Sequence, residues 1–206
     1  MTALTPRATR RSLAAVAAAA LLVAPAARAE AQQILAADDS AGAYRAPAPV
    51  GFVNDFAGVV PAACAAPMRR MIEEVRAKSK GEIAVVTLPT LGGRRLEDVS
   101  LAIARQWGVG YAGAPDDPRT NTGVVILVLP GEHQSRVELA SGAERFLSDS
   151  ASGAIQDSAM VPAFRRREFG VGLVRGVEAI AQRFAARFGF TLTSAATACD
   201  AGPSGS

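Results

Sequence analysis

The chain has 206 residues, half of them hydrophobic, with 22 Lys and Arg against 19 Asp and Glu and a formal charge of +3. Arg7, Arg10, Arg11 and Arg28 lie in the first 29 residues, which hold no acid, so the rest of the chain carries a net charge of −1. With no basic excess to neutralise phosphates, that remainder does not fit a nucleic-acid binder, and it holds no apolar run of the roughly 20 residues a bilayer span needs.

In chain order, residues 1–29 read as a secretory signal peptide: a basic start, the apolar run Leu13–Ala24, and Ala27-Arg28-Ala29 as cleavage site. Arg10-Arg11 gives the leader a faint twin-arginine look. The product is expected to be exported, periplasmic or secreted. Export permits a disulfide between the two cysteines, Cys64 and Cys199; an unreacted buried Cys64 is the alternative. Neither lies in a C-x-x-C or beside a histidine, so no redox motif or zinc site is indicated.

Residues 30–50 are Ala-rich with Pro47 and Pro49 and read as a flexible linker. A domain is expected over 51–190. Its first segment, GFVNDFAGVVP, places Asp55 among apolar anchors, either as a turn-former or as a ligand or acid. Met68, Met71, Ile72 and Val75 then recur at i, i+3, i+4 and i+7, the core stripe of a helix whose wet face carries Arg69, Arg70, Glu73, Glu74 and Arg76. Pro67 either kinks that helix or starts it.

Lys80-Gly81 ends the helix, and Glu82–Leu88 reads as a strand. Leu96, Val99, Ile103 and Trp107 line one face of a second helix, which makes the single Trp a core residue. Gly108, Gly110 and Gly113 follow a helix, whereas a phosphate-cradling loop follows a strand, so they are not one. Gly123–Leu129 is continuously apolar and mostly β-branched, the pattern of a strand buried on both faces. Pro130-Gly131 and a polar turn lead into Arg136–Leu139, whose alternation marks a half-wet hairpin strand.

Ser148 can cap a helix carrying Ile155, Ala159 and Met160, which Pro162 ends or kinks. Arg165-Arg166-Arg167 follow, as a solvated corner or as an anion or lipid-headgroup contact. Leu173, Val177, Ile180, Phe184 and Phe188 define the last helix, terminated by Gly189. Residues 191–206 read as a disordered tail. The strand–helix–strand unit with an added hairpin predicts an α/β class, Rossmann-like α/β/α sandwich on a small mixed β-sheet.

For chemistry, the only histidine, His133, falls in the hairpin turn with no nucleophile near it, and G-x-S-x-G is absent. What remains is Asp55, Asp116, Asp117, Asn121, Glu144 and Asp149, oxygen donors that suit calcium or magnesium or else serve as caps and turns.

V-N-D-F-A-G-V-V at 53–60, G-E-I-A-V-V-T-L at 81–88, W-G-V-G at 107–110, N-T-G-V-V-I-L-V at 121–128 and R-V-E-L-x-S-G-x-E-x-x-L-x-D at 136–149 occur in this order, followed by P-A-F-R at 162–165 and G-L-x-x-G-V-x-A-I at 172–180. Over about residues 51–188 the chain resembles the TPM domain family of thylakoid-lumen, photosystem-repair and receptor-modulator proteins, with many exported bacterial members. The resemblance implies an α/β/α fold, divalent-cation binding and, as in plant members, acid phosphatase activity. It places the family's acidic positions on Asp55, Glu144 and Asp149 and its D-N-G-V turn on Asn121-Thr122-Gly123-Val124, with Asn121 where the family has Asp and Ala140-Ser141-Gly142 where it has G-Y-G. Fewer charged ligands weaken a cation site. The expected function is an exported accessory module that binds an envelope protein, with a weak calcium site at Asp55, Asn121, Glu144 and Asp149 and no organic cofactor. The alternative is a metal-assisted phosphomonoesterase using Asp55 and Glu144.

Overall fold

The computed structural model describes residues 44–194 and Cys199. The expected signal peptide, the linker up to residue 43 and most of the expected tail lie outside the described residues. The elements are β1 (Val53–Asp55), α1 (Ala62–Ser79), β2 (Glu82–Thr87), α2 (Leu96–Trp107), β3 (Gly123–Leu129) and β4 (Gln134–Leu139). They continue with α3 (Asp149–Ile155), a π-helical turn over Gln156–Met160, α4 (Val161–Phe164) and α5 (Phe169–Phe188).

The four strands form one sheet in the order β1-β2-β3-β4. β1, β2 and β3 are parallel and β4 runs antiparallel to β3. The mixed α/β fold expected from the periodicities is the one observed, with an addition: β1 is a three-residue edge strand at Val53–Asp55, too short to leave a period in the sequence.

Because strand side chains alternate, the sheet feeds two cores. Val85, Ile83, Val124, Ile126 and Val137 pack under α1 and α5, where Met68, Met71, Ile72, Val75, Leu173, Val177, Ile180 and Phe184 are fully buried. Val86, Val125, Leu127 and Leu129 pack on the other side under Val99 and Ile103 of α2, with Trp107 at their margin. β3 is buried along its whole length, as a strand covered on both faces must be.

α1 runs unbroken from Ala62 through Pro67, with Lys80 in the left-handed region at its end. The helix expected after Ser148 is longer than its α-helical part. It widens into the π-turn just before Pro162, whose ring and missing N–H disturb the preceding turn of an α-helix. The end of the stretch read as linker lies along α2: the Gln106 amide donates to Tyr44 O (2.7 Å) and accepts from Ala46 N (2.9 Å), and Trp107 Nε1 donates to Pro47 O (2.9 Å).

One residue of α1 departs from its expected wet face. The Glu74 side chain is 9% exposed and accepts from Lys78 Nζ, the Thr193 backbone N–H and hydroxyl, and Ser194 N, at 2.6–2.8 Å. Lys78 Nζ also donates to Thr191 O (2.8 Å), so residues 191–194 are tied along α1. Cys64 and Cys199 form a disulfide across 135 residues of sequence, which settles the open pairing.

Burial alone would raise the Glu74 carboxyl, but the hydrogen bonds from Lys78, Thr193 and Ser194 outweigh it and hold the group well below the usual carboxylate range. A carboxylate depressed in the folded state lends stability that is complete above its unfolded value, about 4.3. That stability is lost as pH falls from there through the folded value. Glu74→Gln is therefore expected to lower stability at neutral pH by about 1–3 kcal/mol. The difference from wild type should shrink steadily below about pH 4.3 in thermal melts; a constant difference down to acid pH would contradict this account.

Candidate functional site

The parallel strands give the sheet a carboxyl edge and an amino edge, and the expected site residues divide between them. Asp55 ends β1 at the carboxyl edge, level with Thr87 of β2 and Val128 of β3. Asn121 precedes β3 at the amino edge, beyond the level of Gly123 and Glu82. Five strand residues at about 3.3 Å each separate those levels, so Asp55 and Asn121 lie more than about 16 Å apart.

Asp55 is engaged where it stands. Its Oδ1 accepts from Val59 N (3.0 Å) and from the Thr87 hydroxyl, and its Oδ2 accepts from Val60 N (2.8 Å). Thr87 is fully buried, and its Oγ1 accepts from Ala57 N (3.1 Å). Asp55 thus acts as a turn-former, its carboxylate accepting the backbone N–H groups of the turn that follows β1. Its neighbour Asn54, also fully buried, stitches the segment down: Oδ1 accepts from Val50 N (2.7 Å), and Nδ2 donates to Gly51 O (2.8 Å) and Val85 O (3.2 Å). The N-D pair of the 53–60 motif thus holds the edge strand and its exit turn in place.

At the amino edge, Asn121 takes a left-handed conformation (φ 60°), which Asn tolerates better than most residues. Its N–H donates to Tyr111 O (2.8 Å), its carbonyl accepts from Gly142 N (3.0 Å), and its Nδ2 donates to Ser141 Oγ (2.8 Å). Gly110 N donates to Glu82 Oε2 (2.8 Å), bringing the Val109–Tyr111 segment against the same edge. Ser141, which the sequence places among the small and polar residues after a strand end but outside the oxygen-donor set, therefore lines the candidate site.

These loops and the last turns of α2 enclose a cleft of about 580 Å³. Its walls combine Leu101, Val109 and Tyr111 with the polar Asn121, Ser141, Arg105 and Glu138. Glu138 is held by Ser100 Oγ (2.8 Å) and by Arg136 Nε (2.7 Å). Glu144, in the turn after Gly142, is exposed, as is Asp149, the first residue of α3, where Ser148 caps the helix by accepting from Ala151 N. Asp116 is exposed, and Asp117 is paired with Arg119 (2.7 Å), whose hydrogen bonds lower its pKa.

Asp55, Asn121, Glu144 and Asp149 therefore do not share a site for one ion, and a catalytic pair of Asp55 with Glu144 is divided by the length of the sheet. Among the described residues no group of three or more His, Cys, Asp or Glu is arranged to hold a metal ion. At the Arg165–Arg167 corner all three residues are exposed, and Arg166 is bound by Glu168 (2.8 Å) and by Pro162 O (2.8 Å).

A four-stranded mixed sheet between helical layers, with a mixed polar and apolar cleft at its amino edge, defines a small α/β domain. The chain belongs to the TPM domain family: the family model matches residues 53–183. The solution NMR structure of the N-terminal domain of a protein from P. gingivalis is 32% identical, with a TM-score of 0.60 over 68% of this chain and 85% of that one. The BA42 protein of the psychrophilic bacterium Bizionia argentinensis shares the fold at 19% identity, with a TM-score of 0.52 over 66% of this chain and 88% of that one. No curated protein matches the chain.

Proposed function

We propose that this is an exported accessory domain of the cell envelope that binds a partner protein through the cleft between α2 and the Asn121 and Ser141 loops. The observation that carries the reading is the cleft itself, whose volume and mixed lining fall in the range of binding pockets. The Cys64–Cys199 bond supports export, because such bonds persist in oxidising compartments. The leader-like first 29 residues support it as well. A calcium site built from all four expected residues is not part of this reading, since Asp55 stands at the other edge.

A photo-crosslinking residue at Ser141 is expected to yield a defined adduct in the native envelope fraction, while one at the exposed Arg183, on α5 in the opposite layer, is not. Equal labelling from both positions, or none from Ser141, would overturn the proposal. So would hydrolysis of a generic phosphomonoester by the purified protein that requires a divalent ion and disappears in Asp55→Asn, the result the phosphatase alternative demands.

A further inference from the structure

We propose that β4 pairs edge to edge with β4 of a second copy of this chain, in antiparallel register about a two-fold axis through Val137. The proposal concerns the outer edge of the sheet, which shares Leu101, Glu138 and Leu139 with the cleft.

The hydrogen-bond pattern of the β3–β4 pair shows which groups are on offer. Ala140 N donates to Gly123 O, and the register pairs Val125 with Glu138, Leu127 with Arg136 and Leu129 with Gln134. In an antiparallel pair the exchanging residues alternate with non-exchanging ones. Gln134, Arg136 and Glu138 therefore turn their backbone groups toward β3, and Ser135, Val137 and Leu139 turn theirs outward. β4 is the last strand of the sheet, and among the described residues no hydrogen bond reaches the outward N–H or C=O groups. Such a row of unpaired groups is a template for another strand.

Edge strands are commonly blunted by charge, but the charges here suit one occupant. With Val137 opposite the partner's Val137, Ser135 faces the partner's Leu139, and Arg136 faces the partner's Glu138 on the side of the sheet that carries α2. The two-fold axis repeats the Arg–Glu pair. Residues directly opposite across an antiparallel pair interact, favourably when oppositely charged and unfavourably when alike. The sequence R-V-E is thus its own complement in this register and in this direction. Beside this edge stands Leu101 of α2, one of two large apolar side chains exposed among the described residues, lining the same cleft as Glu138 and Leu139. In the paired form the two α2 helices lie on one face of a continuous sheet, which gives Leu101 an apolar neighbour.

The test uses charge reversal, because it separates pairing from folding. The purified wild-type chain is expected to dimerise with concentration in sedimentation equilibrium. Arg136→Glu leaves only acids at positions 136 and 138, and Glu138→Arg leaves only bases. Each variant alone is therefore expected to dimerise at least about tenfold more weakly than wild type. An equimolar mixture of the two is expected to form a one-to-one heterodimer, since every cross-strand contact is then opposite in sign. If either single variant misfolds by circular dichroism, the double variant R136E/E138R carries the test and is expected to dimerise like wild type. In hydrogen exchange, the amides of Ser135, Val137 and Leu139 should gain protection as concentration rises, while those of Arg136 and Glu138 are protected throughout. A wild-type chain that stays monomeric at about 1 mM overturns the proposal. So does a mixture that fails to associate, or protection of the outward amides only in complex with a different protein.

Discussion

Replacing both Cys64 and Cys199 with alanine is expected to lower the unfolding midpoint of the oxidised protein by roughly 10–20 °C. The bond joins residues 135 apart, close to the whole length of the domain. Closing a loop of that size removes on the order of 5 kcal/mol of chain entropy from the unfolded state. The folded state loses little by comparison, because residues 191–194 stay bound through Glu74 and Lys78. Cys64 is fully buried, so alanine is the right replacement; serine would add an unpartnered hydroxyl to the core, a further loss of about 1–3 kcal/mol. The measurement is a thermal melt of wild type and double variant, with and without a reductant present. Wild type should fall to the level of the variant after reduction, and the variant should not change. Equal midpoints before reduction would show that the link contributes nothing to the cooperative unit.

How much of this was readable beforehand depends on length and period. Seven apolar residues at Gly123–Leu129 can only be a covered strand, and the stripes on α1, α2 and α5 repeat over several turns, so the layers followed from the sequence. β1 did not, because three residues leave no period, and its polar half, Asn54 and Asp55, reads as loop. That one omission grouped Asp55 with Asn121. Once Val53–Asp55 is a strand parallel to β2, Asp55 has to end at the carboxyl edge, whereas Asn121, just ahead of β3, has to sit at the amino edge. Asp55 and Asn121 therefore stand at opposite edges of the sheet. Glu74 was missed for a related reason: its partners, Thr193 and Ser194, are 119 and 120 residues away, and helical periodicity reports only on the helix's own neighbours. The glycines of the amino-edge motifs carried more structural meaning than the acids.

Of these glycines, Gly142 and Gly123 make the closest approaches to backbone, and Gly142 tests the contact behind the cleft. A Cβ built on it would lie 2.1 Å from the Thr120 carbonyl oxygen and 2.7 Å from the carbonyl carbon and oxygen of Asn121. Those atoms are backbone, so no side chain can rotate away. The loop that gives way is the one whose carbonyl accepts from Gly142 N and whose Asn121 amide holds Ser141. Gly142→Ala is therefore expected to destabilise the domain by more than about 3 kcal/mol. It should also perturb the Asn121 and Ser141 resonances before those of α1 or α5. Gly153→Ala is the matched control: in α3 the new methyl meets nothing within 4 Å. There the gain in helix propensity should stabilise by about 0.5–1 kcal/mol. Both substitutions restrict the unfolded chain equally, so the difference between their denaturation midpoints isolates the close approach at the amino edge. If Gly142→Ala matched Gly153→Ala in sign, the 140–142 and 120–121 segments would not be in contact, and the cleft would lose its floor.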